Sequence, residues 1–187
     1  MILHRHIDRA CLIAAVAALS ACATQVPVVS RLDSSGITVV TLDDALVLSR
    51  PAPRLAALVQ DYAYIGPVRV NRMGKIDHYL WVGFASTVDR EFINASTAEA
   101  VTLALVVDGQ PMILALDDWS TRLDHPPYDT AAPIYATLAT PVSLDQIDRI
   151  ASATSVEALF IAENAAVARY RMWAGTWATW TLFVDTN

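Results

Sequence analysis

Residues 117–129 read "DDWSTRLDHPPYD". Four carboxylates, Asp117, Asp118, Asp124 and Asp129, flank one imidazole, His125, with Tyr128 beside them. Carboxylate oxygens with an imidazole nitrogen suit a hard or borderline divalent cation. Such an ion would make the loop the centre of a metal-assisted hydrolase. The spacing argues otherwise. A calcium loop of the EF-hand kind places acids at alternate positions around a central glycine, and this stretch has neither feature. The plainer reading is a solvated loop stiffened by Pro126-Pro127, and no metal is expected. Other chemistry is weaker. The chain has no G-x-S-x-G and no H-E-x-x-H. Beyond residue 21 the histidines are His78 and His125, and a Ser–His–Asp group could be assembled from either, as from almost any chain of this size, so neither marks a nucleophile. Glu91, Glu99, Glu157 and Glu163 join the aspartates as acids. No pattern sets two of them at the roughly 5–10 Å that glycosidase chemistry needs. There is no glycine-rich phosphate loop. No catalytic residue and no cofactor are expected.

The other reactive side chain is near the start. Residues 1–21 read "MILHRHIDRACLIAAVAALSA". Arg5 and Arg9 precede an apolar run from Ala10 to Leu19. Ten residues are too few to cross a bilayer, which takes about 20. A basic head, a short apolar middle and small residues at the exit make an export signal. The exit, Leu19-Ser20-Ala21-Cys22, resembles the lipobox of bacterial lipoproteins. The resemblance implies a diacylglyceryl group on the Cys22 thiol, cleavage between Ala21 and Cys22, and acylation of the new amino group. Because each buried methylene contributes about 0.8 kcal/mol, several chains hold firmly where one does not. Ala23 follows the cysteine in place of the aspartate that retains such proteins at the inner membrane. The resemblance therefore implies the periplasmic face of the outer membrane of a Gram-negative bacterium. Cys11 leaves with the signal and Cys22 is consumed. The mature chain then has no thiol for a disulfide, a metal or a nucleophile.

Removing residues 1–21 takes away Arg5, Arg9 and Asp8 and leaves 166 residues of formal charge −7. That length suits one domain with a sizeable core. Lys75 is the only lysine. Nucleic acid needs clustered cations and is excluded as a partner. The overall charge gives an anionic lipid surface no general attraction, so the anchor must supply membrane affinity.

The elements that must carry these residues are mostly strands. Residues 22–35 read as a flexible tether and 36–187 as a single β-rich domain. "GITVVTL" and "DALVLS" are short strands rich in β-branched and aliphatic residues. "RPAPRLAALVQ" is open between helix and irregular chain, since its prolines exclude a central strand. "DYAYIGPVRVNR" is a strand with a bend or bulge predicted at Gly66-Pro67. "HYLWVGFAST" is apolar on both faces and predicts a strand covered on both sides, with Gly83 leaving room for close packing. Asp108-Gly109 joins two apolar runs as a hairpin. Ser143 and Gln146 stand at capping-box spacing before Leu144, Ile147 and Ile150. "VEALFIA" and "AVARYRMWA" make a strand pair, with Arg169 and Arg171 on its wet face. The end, with Trp177, Trp180 and Val184, leans to helix over strand. The fold class is mainly β (α+β): an antiparallel β-sandwich or curved sheet of about eight strands with one or two short helices. Tyr62, Tyr64, Tyr79, Trp81, Trp173, Trp177 and Trp180 are expected to fill the core. The function expected is non-catalytic: a lipid-anchored envelope protein with a binding or structural role. Its partner would be another envelope protein or a glycan, met on a face or edge that stays exposed and apolar.

Overall fold

The structure is a computed structural model and describes residues 28–32, 36–51, 59–87, 101–123, 125–162 and 167–186. The signal, Cys22, the "RPAPRLAALVQ" stretch from 52 to 58, and Glu91, Glu99, Asp124 and Glu163 lie outside them.

Among the described residues ten strands run in chain order: β1 Val28–Leu32, β2 Thr38–Leu42, β3 Leu46–Pro51, β4 Gln60–Arg72, β5 Lys75–Ser86, β6 Val101–Val107, β7 Gln110–Asp118, β8 Ile134–Pro141, β9 Val156–Ala162 and β10 Ala168–Ala174. Two short helices follow β8 and β10: α1 Leu144–Ala151 and α2 Trp180–Asp185. The pairing order β4-β3-β10-β9-β6-β7-β8-β5 returns to β4, because β4 and β5 also pair. The expected curved antiparallel sheet of eight strands is thus bent until it closes into a barrel, which leaves no edge in the ring. β1 and β2 stand outside the ring as a ribbon on β4.

Alternation decides what lies inside. Leu46 and Leu48 of β3 oppose Ile65 and Ala63 of β4, which oppose Val82 and Phe84 of β5. Leu103 and Leu105 of β6 oppose Leu114 and Met112 of β7 and Phe160 and Ala158 of β9. The Phe84 ring meets Phe160 edge-on at 5.0 Å, although β5 and β9 are not neighbours in the ring. This set therefore points inward and fills the barrel. The opposite face of β7 carries Pro111, Ile113 and Ala115 into water.

β4 is the strand that organises the rest. Its first half, through Ile65, pairs with β3, and its second half, from Val68, pairs with β2. The handover falls at Gly66-Pro67. The expected bulge is absent there: β4 stays in continuous register with β5 from Asp61↔Ser86 to Arg72↔Lys75. Proline cannot donate to a ladder, so it sits where one partner ends and the next begins.

Three local readings hold. Val107↔Gln110 closes a two-residue hairpin with Asp108 at φ 47° and Gly109 at φ 79°. Ser143 caps α1: its hydroxyl accepts from the Gln146 N–H at 3.1 Å, and its own N–H donates to Gln146 Oε1 at 2.8 Å. The C-terminal segment is a 3-10 turn, Trp177–Thr179, leading into α2. Ile147 and Ile150 of α1 are buried, as are Trp177, Trp180 and Phe183. Arg69 donates to the Thr186 carbonyl at 3.1 Å, fixing the end of α2 to β4. One departure concerns the tether. Val28–Leu32, inside the stretch read as flexible, form β1 in register with β2 from Val28↔Leu42 to Leu32↔Thr38.

Candidate functional site

The segment between β7 and β8 carries the residues singled out for chemistry, and the structure uses Asp117, Asp118 and Asp129 as a cap and as ion-pair partners and packs Tyr128. Asp118 caps a 3-10 turn, Trp119–Thr121, by accepting from the Ser120 N–H at 2.9 Å. Asp117 pairs with Arg122 at 3.4 Å, and the Arg122 guanidinium lies 5.3 Å over the Tyr79 ring. Asp129 pairs with Arg31 of β1 at 3.1 Å, with both side chains in water. Among the described residues no three histidine or acidic side chains converge as a metal site would require. His125 is exposed, and its carbonyl accepts from Trp119 Nε1 at 3.0 Å.

The segment is a lid on the outer wall of β4 and β5. Trp119 is buried against Tyr79, and Tyr128 is buried against Trp81 with ring centroids 5.5 Å apart. Gly66 makes the second contact possible: a Cβ there would fall 2.4 Å from the Tyr128 ring. Gly83 plays the same part for Trp81, whose ring would meet a Cβ at 2.5 Å. The expectation that β5 is covered on both faces is met, by the barrel on one side and this lid on the other. The Tyr128 hydroxyl donates to the Pro67 carbonyl at 2.6 Å. Burial pushes its phenol well above the usual range, and a backbone hydrogen bond from Leu42 only partly opposes that. The Tyr64 hydroxyl accepts from the Ala132 N–H at 3.3 Å. The lid is therefore pinned at several points.

Between this lid and the β1–β2 ribbon lies a groove of about 350 Å³. Leu32, Val39, Leu123, Pro126 and Pro127 give it apolar walls, and Arg31, Thr41 and His125 supply polar atoms. Arg31 is held by Asp129. Such a groove suits an apolar group with one polar handle. Of the candidates named from sequence, only His125 lines it.

A second polar cluster sits at the end of the barrel away from α1 and α2. Asp61 is 1% exposed and takes both Nε and Nη2 of Arg50, at 3.2 and 3.1 Å. Ser86 Oγ donates to its other oxygen at 3.1 Å. Arg50 lies 5.3 Å over the Tyr170 ring. Asp61 and Arg50 are cross-strand partners in β4 and β3, so each reaches the other without leaving its strand. Sequence offered no sign of this pair, since nothing in spacing alone marks a register.

The remaining candidates are separate. His78, in β5, meets Phe183 of α2 edge-on at 6.3 Å. Glu157 pairs with Arg169 at 3.1 Å on the wet face of β9 and β10. Most of the expected core aromatics are buried or half-buried, but Trp173 is 64% exposed and rests its edge on Tyr62.

Fold and site together define a closed, filled antiparallel β-barrel with a helical cap, an outer lid and a small external groove. No protein-family model, curated protein or solved structure matches this chain.

Proposed function

We propose that the chain is a lipid-anchored envelope protein, facing the periplasm from the outer membrane, with a non-catalytic binding role. One observation carries this reading: Leu19-Ser20-Ala21-Cys22 closes a ten-residue apolar run behind a basic head. The architecture is consistent with it. The described inward side chains, Leu48, Ile65, Leu103, Leu105 and Phe160 among them, pack the barrel interior, which supports a partner met on the outside. The groove beside His125 offers a small apolar contact there, of a size for a side chain of an envelope protein or a glycan substituent.

The test is direct. Mass spectrometry of protein purified from membranes should show a chain beginning at Cys22 with a diacylglyceryl thioether. Cys22→Ser should move the protein from the membrane fraction to the soluble one. A free thiol at Cys22, or cleavage elsewhere, would overturn the anchor. A stoichiometric divalent ion in purified protein, with lost stability in chelator, would instead favour a metal-dependent hydrolase at the 117–129 loop.

A further inference from the structure

The molecule builds the same two-residue hairpin turn twice and fills it differently. At Asp108-Gly109 the first central residue has φ 47° and the second 79°. At Met73-Gly74 the angles are 53° and 92°, between Arg72 and Lys75, which pair. Both residues of such a turn need positive φ, hence the preference for Asn, Asp or Gly at the first. Asp108 fits and also accepts from the Thr154 and Ser155 N–H groups. Met73 does not fit. It takes the left-handed conformation at a steric cost, and its side chain is 103% exposed, so no packing in the fold offsets that.

Met73 is not alone. Ile76 is 52% exposed and Leu32 75%. Cross-strand register puts them in one row: Leu32 opposes Thr38, Thr38 opposes Asn71, and Asn71 opposes Ile76. Residues directly opposite share a face. Three strand spacings, about 14 Å, separate Leu32 from Ile76, with uncharged Thr38 and Asn71 between. Met73 projects past the row at the turn. Beside it stands Lys75, 77% exposed and paired with Asp77 at 3.4 Å, whose long stem lets its ammonium stay at headgroup level while its carbons lie in an apolar layer.

The chain that leads to Cys22 joins β1 at Val28, the end away from Leu32. Cys22 precedes Val28 by six positions, a reach of at most about 21 Å. From Val28 to Leu32 the strand advances four residues, about 13 Å. A cysteine held at a bilayer therefore lets the Leu32–Met73 end touch that surface, and forbids the domain from drifting far from it.

We infer that this end of the molecule, Leu32, Met73 and Ile76 with Lys75, is a membrane-docking surface that rests in the headgroup layer of the bilayer holding Cys22. The inference deepens the anchored reading and rests on it. Docking fixes the orientation of the domain. The Arg50–Asp61 end of β4, at the opposite end of that strand from Met73, then faces away from the membrane.

The test uses full-length protein processed in the cell and purified from membranes. Met73→Cys and Leu32→Cys each carry a nitrobenzoxadiazole label, with Ile113→Cys as a control on the outer wall of β7. A lipidated Cys22 leaves the new cysteine as the only thiol, and the mass of each sample records whether that holds. The proteins are placed in phosphatidylethanolamine vesicles with a minor fraction of phosphatidylglycerol and nitroxide-bearing lipid. Docking gives blue-shifted emission at positions 73 and 32, quenched several-fold by the nitroxide, and no change at 113. A lipidated sample whose label at 73 stays in water overturns the docking and leaves the anchor standing. A blue shift without lipid quenching overturns it in favour of a protein covering this end. A bare Cys22 in soluble protein overturns both readings, and the mass distinguishes that case.

Discussion

Tyr128→Phe isolates one oxygen atom. The ring stays, so the contact with Trp81 and the filling of the space above Gly66 are kept. What disappears is the hydroxyl that donates to the Pro67 carbonyl at 2.6 Å in a position only 3% exposed. A buried acceptor stripped of its partner costs about 1–3 kcal/mol. A central value of about 2 kcal/mol lowers the melting temperature of a domain this size by roughly 4–8 °C. The pH dependence makes the test sharper. Burial raises the Tyr128 phenol above its ordinary 10.0. The native state keeps the proton while the unfolded state ionises, so the contribution is fully present below pH 10 and is lost as pH rises above it. The loss is about 1.4 kcal/mol per pH unit. Phenylalanine carries no proton and loses nothing by this route. The stability gap between wild type and variant, near 2 kcal/mol at pH 7, should therefore shrink by about 1.4 kcal/mol at pH 11. Urea unfolding of both proteins at the two pH values measures it, since other titrating groups are common to both. An equal gap at pH 7 and pH 11 would refute the claim that this phenol is held neutral by burial.

Gly66→Ala should destabilise by about 1–3 kcal/mol, because the new Cβ meets the Tyr128 ring at 2.4 Å. Combining it with Tyr128→Leu should cost less than the sum of the two, measured by denaturant unfolding. Asp61→Ala strips Arg50 and Ser86 of their shared partner. Because Arg50 still reaches water, the expected loss is about 2–4 kcal/mol, toward the low side for a broken buried pair, read as a fall in urea midpoint. Met73→Asn should raise stability by about 1 kcal/mol, read as a higher melting temperature, while removing an apolar contact with the bilayer. An unchanged or lower melting temperature would show that Met73 bears no backbone strain.

What could be read from sequence was whatever a short window contains. Asp108-Gly109 between two apolar runs is a complete hairpin signal, and Ser143 with Gln146 is a complete helix start. Closure of the barrel is not local. It depends on β4 pairing with β3 on one side and β5 on the other, and only the Gly66-Pro67 pair hinted that β4 changes partner along its length. β1 was hidden because Val28–Leu32 show no alternation: they gain their place from β2, not from their own pattern. The 117–129 stretch misled through its acids. Trp119, Leu123 and Tyr128 recur through it every four or five residues, and those buried side chains decide its shape, while Asp117, Asp118 and Asp129 serve as caps and ion-pair partners. Met73 was legible in principle, as a large apolar residue before a glycine where two strands turn.

The ribbon of β1 and β2 also defines a load path. Tension applied on the N-terminal side of Val28 enters the domain through β1, which hydrogen-bonds only to β2 among the described strands. The pull starts at the Val28↔Leu42 end and separates one rung at a time, whereas dragging β4 out would mean shearing its ladder with β5 from Asp61 to Arg72 all at once. The ribbon is thus a mechanical fuse. It peels at low force and pays out slack, while the ring behind it keeps its shape.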